Sequence, residues 1–192
     1  MKNFFVLILG IFLFSSAEAK DGHELWLDYR PVENAGLKLE AERLFSGFYF
    51  FGQNPTYDIV RKELEISGQK FLGKSPVFSS ERLTQTQVWL GTREALAQVL
   101  GLETQVKIRA LGPDGYWRGP IDFEGKTYYA IIGNQPVGVL YGVFDWLKSI
   151  QTKTFNPNAE KIESPKVKLR MLNHWDNLDR TVERGYAGFS IW

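Results

Sequence analysis

At 192 residues the chain has room for one domain, or for one domain and part of a second. Its formal net charge of +1 provides no broad basic field of the kind that holds nucleic acid. Cysteine is absent, which excludes disulfide support and thiolate metal sites.

The first 19 residues read as a secretory signal. Lys2 supplies the positive start, residues 4–14 form an apolar run too short to span a membrane comfortably, and Ala17-Glu18-Ala19 has the small-x-small cleavage pattern. Cleavage is expected after Ala19, with no following cysteine to carry a lipid. The expected location is therefore the periplasm or the extracellular medium.

Residues 21–29 (DGHELWLDY) read as a strand, with Leu25 and Leu27 on one face and Trp26 on the other. Asn54-Pro55 opens a helix, since Asn caps well and Pro suits the first turn. Ile59, Val60, Glu63 and Leu64 continue it at helical spacing, and Gly68 is its expected end. Residues 87–90 (QVWL) suit a buried strand. Residues 92–100 suit a short helix with Leu96, Val99 and Leu100 inward.

Two apolar or aromatic runs, 116–123 and 127–132, flank Glu124-Gly125-Lys126 and predict a hairpin. Gly133-Asn134-Gln135-Pro136 then opens the clearest helix. Its expected inner stripe is Val137, Leu140, Tyr141, Phe144 and Leu147, widened by Val139, Val143 and Trp146. Gly138 and Gly142, four apart, imply close packing of this helix onto a sheet. Asp145 and Lys148 argue against a membrane helix. Residues 153–165 read as a polar, proline-bracketed linker. Residues 167–172 then suit a new strand, with Val167, Leu169 and Met171 facing one way and Lys168, Arg170 and Leu172 the other. The expected class is α+β: a small accessory sheet with helices on one face over residues 20–152, and the start of something else from residue 166.

No P-loop, dinucleotide fingerprint or persuasive Ser/His/Asp order occurs. The two histidines, His23 and His174, are too far apart to make a zinc signature. The chemistry is concentrated near the C-terminus, where the apolar alternation stops at His174-Trp175-Asp176-Asn177. Trp175 offers a flat apolar face and one N–H. Asn177 donates and accepts, and so does His174. Sugars present ring C–H groups to aromatic faces and hydroxyls to such polar groups, and parallel barrels carry their sites on loops after strands. Spacing alone leaves a second reading open, in which His174 and Trp175 cap a core and Asp176 caps a turn. Glu183 and Arg184 read by themselves as an exposed pair.

Residues 169–192 (LRMLNHWDNLDRTVERGYAGFSIW) closely resemble the start of the barrel in family 67 glycoside hydrolases, the xylan α-glucuronidases. DGHELWLDYR, VWLGTRE and GKTYYAIIGNQPVGVLYGVFDWLKSIQT agree with the same family. The resemblance implies an accessory domain over 20–152 and, from 166 to 192, the first strand of a truncated (β/α)8 barrel. It implies an inverting enzyme that removes α-1,2-linked glucuronic acid, or its 4-O-methyl ether, from xylo-oligosaccharides without metal or organic cofactor. Trp175 would wall the glucuronic-acid pocket, Glu183 would bond sugar hydroxyls, and His174 and Asn177 would line the pocket. No catalytic residue is assigned, because the family's acid and base come from later barrel strands, and the 192-residue chain is expected to hydrolyse nothing alone. The implied partners are glucuronoxylan-derived oligosaccharides, with neither nucleic acid nor, after signal removal, membrane, and with a homodimer as one expectation for the full-length parent. The alternatives are a stand-alone carbohydrate-binding or interaction module, which would bind glucuronoxylan through Trp175, and a gene remnant without function.

Overall fold

The computed structural model describes residues 28–79, 81 and 86–171. Residues Tyr29–Met171 form one compact unit. The chain enters it with Tyr29, whose hydroxyl donates to Glu63 Oε1 at 2.6 Å, and with the Val32 N–H donating to the Phe71 carbonyl. The expected strand at 21–29 lies outside the described residues except for Asp28 and Tyr29, and those two are not in a strand.

Helix α1 (Ala35–Phe45) starts where Asn34 Oδ1 accepts the Leu37 N–H. Its buried residues Ala41, Leu44 and Phe45 crowd into its last half, while Leu39 is exposed. That is why apolar periodicity does not announce it. Strand β1 (Phe48–Phe51) is wholly aromatic, FYFF, because both of its faces are covered.

Helix α2 (Pro55–Leu72) begins as its Asn-Pro start requires, with Asn54 Oδ1 accepting the Thr56 N–H. It does not end at Gly68. A side chain there would press on Phe45, Pro76 and the Lys74 carbonyl, so this glycine serves close packing inside the helix. The helix stops at Gly73, which takes the left-handed conformation (φ 68°) that glycine adopts without strain.

Strand β2 (Phe78–Ser79) is short, and β3 (Val88–Thr92) is buried as expected. Thr92 caps α3 (Arg93–Leu96), and α4 (Leu102–Ile108) follows. The hairpin of β4 (Tyr116–Phe123) and β5 (Lys126–Gly133) forms as predicted. Glu124 and Gly125 carry the positive φ values that a two-residue turn demands.

Helix α5 (Pro136–Gln151) packs on the sheet as its glycines suggest, but its face is rotated from the expected one. The buried residues are Gly138, Val139, Gly142, Val143, Trp146, Leu147, Ser149 and Ile150. Val137, Leu140 and Phe144 flank the contact, and Tyr141 is exposed. The two glycines are the points of closest approach, with a Cβ at Gly142 falling 2.6 Å from Ile131 Cγ2. A stripe drawn only through large apolar residues therefore misses the true centre.

The sheet runs β2-β1-β3-β5-β4-β6, with the β2–β1, β1–β3 and β3–β5 neighbours parallel and β4 antiparallel to both β5 and β6. Its sixth strand, β6 (Lys161–Glu163), comes from the stretch expected to be linker. Helices cover both faces, not one. Phe48, Phe50, Val88, Leu90, Tyr129 and Ile131 meet α2 and α5 on one side. Trp89, Trp117, Ala130 and Ile132 meet Leu96, Leu100 and Ile108 on the other. Residues 167–171 are not in a strand: Val167, Leu169 and Met171 are 62%, 72% and 80% exposed. Their alternation is real, but a strand needs a neighbouring ladder, and among the described residues none lies alongside.

Candidate functional site

The described polar chemistry gathers where α5 crosses β4 and β6. Strand alternation sends Trp117 and Ile121 to one face and Arg118 to the other, under α5. Arg118 is only 7% exposed. Its Nε donates to Asp145 Oδ2 at 2.6 Å and its Nη1 to the Tyr129 hydroxyl at 2.8 Å. Asp145 Oδ1 accepts from Lys161 Nζ. Lys161 also lies 3.2 Å from Glu163 Oε2, which accepts from the Tyr116 hydroxyl at 3.1 Å.

The electrostatics follow from this geometry. Burial by itself would push the Asp145 carboxyl up, but hydrogen bonds and charge from Lys161 and Arg118 outweigh it and hold the group below its ordinary value. Burial raises the Tyr116 phenol, and the Asp145 and Glu163 charges raise it further. Each charged group of the cluster has a partner. The arrangement therefore suits anchoring rather than proton transfer, since buried charges persist when paired and hydrogen-bonded. Its signs in the sequence are slight: one arginine within an aromatic hairpin, and one aspartate on a largely apolar helix.

A second feature is a pair of adjoining open clefts of 260 and 380 Å³ that share Leu37 and Lys153. Their walls mix Arg30, Glu33, Glu40 and Phe155. Among the described residues no group of three or more His, Asp or Glu could hold a metal ion. His174, Trp175, Asn177 and Glu183, the site residues expected from the sequence, all lie outside the described residues. Arg170 is the described charged residue nearest them in the chain. It donates to Asp114 Oδ2 at 2.6 Å and sits over the Tyr141 ring.

The aromatic β1, the hairpin and the glycine-faced first three turns of α5 fall within residues 25–146, which match the sequence model described as Glycosyl hydrolase family 67 N-terminus. The chain belongs to glycosyl hydrolase family 67. The family's middle-domain model matches residues 149–192. It thus begins inside α5, although β6 is still part of the sheet. Similar curated proteins include a probable alpha-glucuronidase A of Aspergillus niger, 30% identical over 191 residues, covering 99% of this chain and 22% of that protein. Alpha-glucuronidase A of Aspergillus tubingensis is 28% identical over 195 residues, covering 100% of this chain and 22% of its own length. A probable alpha-glucuronidase A of Neosartorya fischeri is 30% identical over 177 residues, with 92% and 20% covered. The family-67 chain spans about a fifth of the length of these relatives.

Proposed function

We propose that this chain is the N-terminal part of an exported α-glucuronidase that releases α-1,2-linked glucuronic acid, or its 4-O-methyl ether, from xylo-oligosaccharides. The observation that carries the reading is the run of two successive family-67 domains, in family order, along residues 25–146 and 149–192. The sugar chemistry of residues 174–183 supports it: an indole face at Trp175, amide and imidazole groups at Asn177 and His174, and a carboxylate at Glu183.

On this reading the chain contributes binding surface, and the reaction needs carboxylates from later strands. Inversion requires one carboxylic acid to protonate the leaving oxygen. A second carboxylate activates water on the opposite side of the ring, about 6.5–9.5 Å away. Trp175 would stack on the glucuronic-acid ring, and Glu183 would accept from its hydroxyls.

The experiment is a chimaera in which this chain replaces the matching first fifth of the Aspergillus tubingensis alpha-glucuronidase A. In a folded, active chimaera Trp175→Ala and Glu183→Gln are expected to raise KM about tenfold or more, as loss of a stacked or charge-assisted contact does. Unchanged KM and kcat in both variants would count against these residues as pocket walls.

A further inference from the structure

Residues 160–164 lie against β4 and the turn before it, Arg170 returns to Asp114 of that turn, and apolar burial does little to hold this strap. Ile162 is 51% exposed, and Val167, Leu169 and Met171 are more so. Backbone pairing covers three residues, from Tyr116↔Glu163 to Arg118↔Lys161. The rest is polar. Glu160 accepts from Lys107 Nζ at 2.8 Å and from Trp117 Nε1 at 3.3 Å. Ser164 Oγ accepts the Gly112 N–H at 3.0 Å, and Arg170 pairs with Asp114.

The strap is nevertheless closely fitted. A Cβ on Gly115 would fall 2.5 Å from Ser164 Oγ, and one on Gly119 would fall 3.0 Å from Glu160 Cγ. Side chains are thus missing at Gly115, just before β4, and at Gly119 within it, where the strap passes closest. Among the strap's ionic links, the one through Asp145 is the most shielded. The groups that receive the strap differ: the Asp145 side chain is 19% exposed and is backed by Arg118 at 9%, against 31% for Asp114 and 36% for Lys107, while the strap's own Glu160, Lys161 and Arg170 lie between 37% and 41%. Charge pairs gain strength as water is excluded, while exposed pairs contribute little.

We propose that Asp145 is a positioning residue. By joining buried Arg118 to Lys161 it holds β6 on the sheet, and so sets the place at which the chain leaves this domain. The link to function rests on the reading above, in which the chain then continues, a few residues after Arg170, into the pocket residues His174 and Trp175.

Hydrogen exchange of the 192-residue chain, read by mass spectrometry, tests this without any sugar. In Asp145→Asn, peptides covering 160–171 should exchange about tenfold faster, the loss expected for a charge-assisted bond, while peptides from β3 and β5 keep their rates. Asp145→Glu, which keeps the charge, should loosen the strap less. Lys161→Met removes the strap's own partner, leaves Arg118 paired with Asp145, and should show the same local loosening. Unchanged exchange at 160–171 would overturn the proposal. So would an equal rise in β5, which would mean that Asp145 serves general stability only. Unchanged KM for Trp175→Ala and Glu183→Gln in the folded chimaera would count against the pocket reading and leave the exchange result intact.

Discussion

The indole of Trp146 stacks on the ring of Phe45, with centroids 5.3 Å apart and planes 23° from parallel. The pair joins α5 to α1, and Phe48, Tyr129 and Phe155 close around the same indole. Trp146 is fully buried, yet its Nε1–H finds no acceptor among the described residues. The site is therefore valuable for its area and shape, and the N–H is a burden there. Trp146→Phe keeps a stacked ring and removes the unpaired donor, so it should cost about 1 kcal/mol or less. Trp146→Ala should cost about 3–5 kcal/mol. Urea unfolding of the two variants separates them, and equal costs would contradict this account.

Gly138 and Gly142 should not tolerate alanine equally. A Cβ at Gly142 meets Ile131 Cγ2 and Tyr116, side-chain atoms able to shift. One at Gly138 meets the Gly115 carbonyl, which the backbone holds. Alanine gains about 1 kcal/mol in helix propensity at either place. Gly142→Ala is thus expected within about 1 kcal/mol of the parent, and Gly138→Ala to lose about 2 kcal/mol or more. Thermal melts rank them, and the reverse order would show that α5 does not rest on the hairpin through Gly138.

Legibility followed the kind of force that makes each element. Asn54-Pro55 and Glu124-Gly125 set backbone geometry within a few residues, so α2 and the hairpin can be read locally. β6 cannot, because Lys161-Ile162-Glu163 buries little and is held by ladder bonds and ion pairs to β4 and α5. α1 is hidden because its burial falls in its last turns, and the face of α5 because glycine carries no hydrophobic signal. The Arg118–Asp145 pair joins residues 27 apart in sequence, and only the folded sheet brings them together. The candidate pocket is legible as a change of residue type after Leu172 and as a family resemblance. Its geometry lies outside the described residues.

Asp145 should make part of the acid stability. Its carboxyl is held below its ordinary value in the folded state. The stabilisation is then present above the unfolded value, about 3.9, and is lost as pH falls through the lower folded value. The stability gap between the parent and Asp145→Asn should therefore be constant above about pH 5 and shrink below about pH 4. Denaturant unfolding across that range measures it, and a gap that widens toward acid would reverse the sign of the argument.

At the alkaline end the phenols act. Burial raises Tyr29, Tyr57, Tyr116 and Tyr129 above their ordinary value, aided at Tyr29 by Glu63 and partly offset at Tyr129 by Arg118. The folded state keeps these protons while unfolded phenols ionise near 10, so the stability they support is present below about pH 10 and is lost as pH rises beyond it. Phenolate absorbance should show a late step that coincides with loss of far-ultraviolet circular dichroism. Complete ionisation in a chain that stays folded would contradict this.

The central claim is that this family-67 chain provides the first part of an α-glucuronidase and that the reacting carboxylates come from elsewhere. Release of 4-O-methylglucuronic acid from aldouronic oligosaccharides tests it most directly, measured on the purified 192-residue chain and on the folded chimaera with the Aspergillus tubingensis relative. The account predicts release by the chimaera and none by the chain alone. Release by the chain alone, or a folded chimaera that releases nothing, would contradict it.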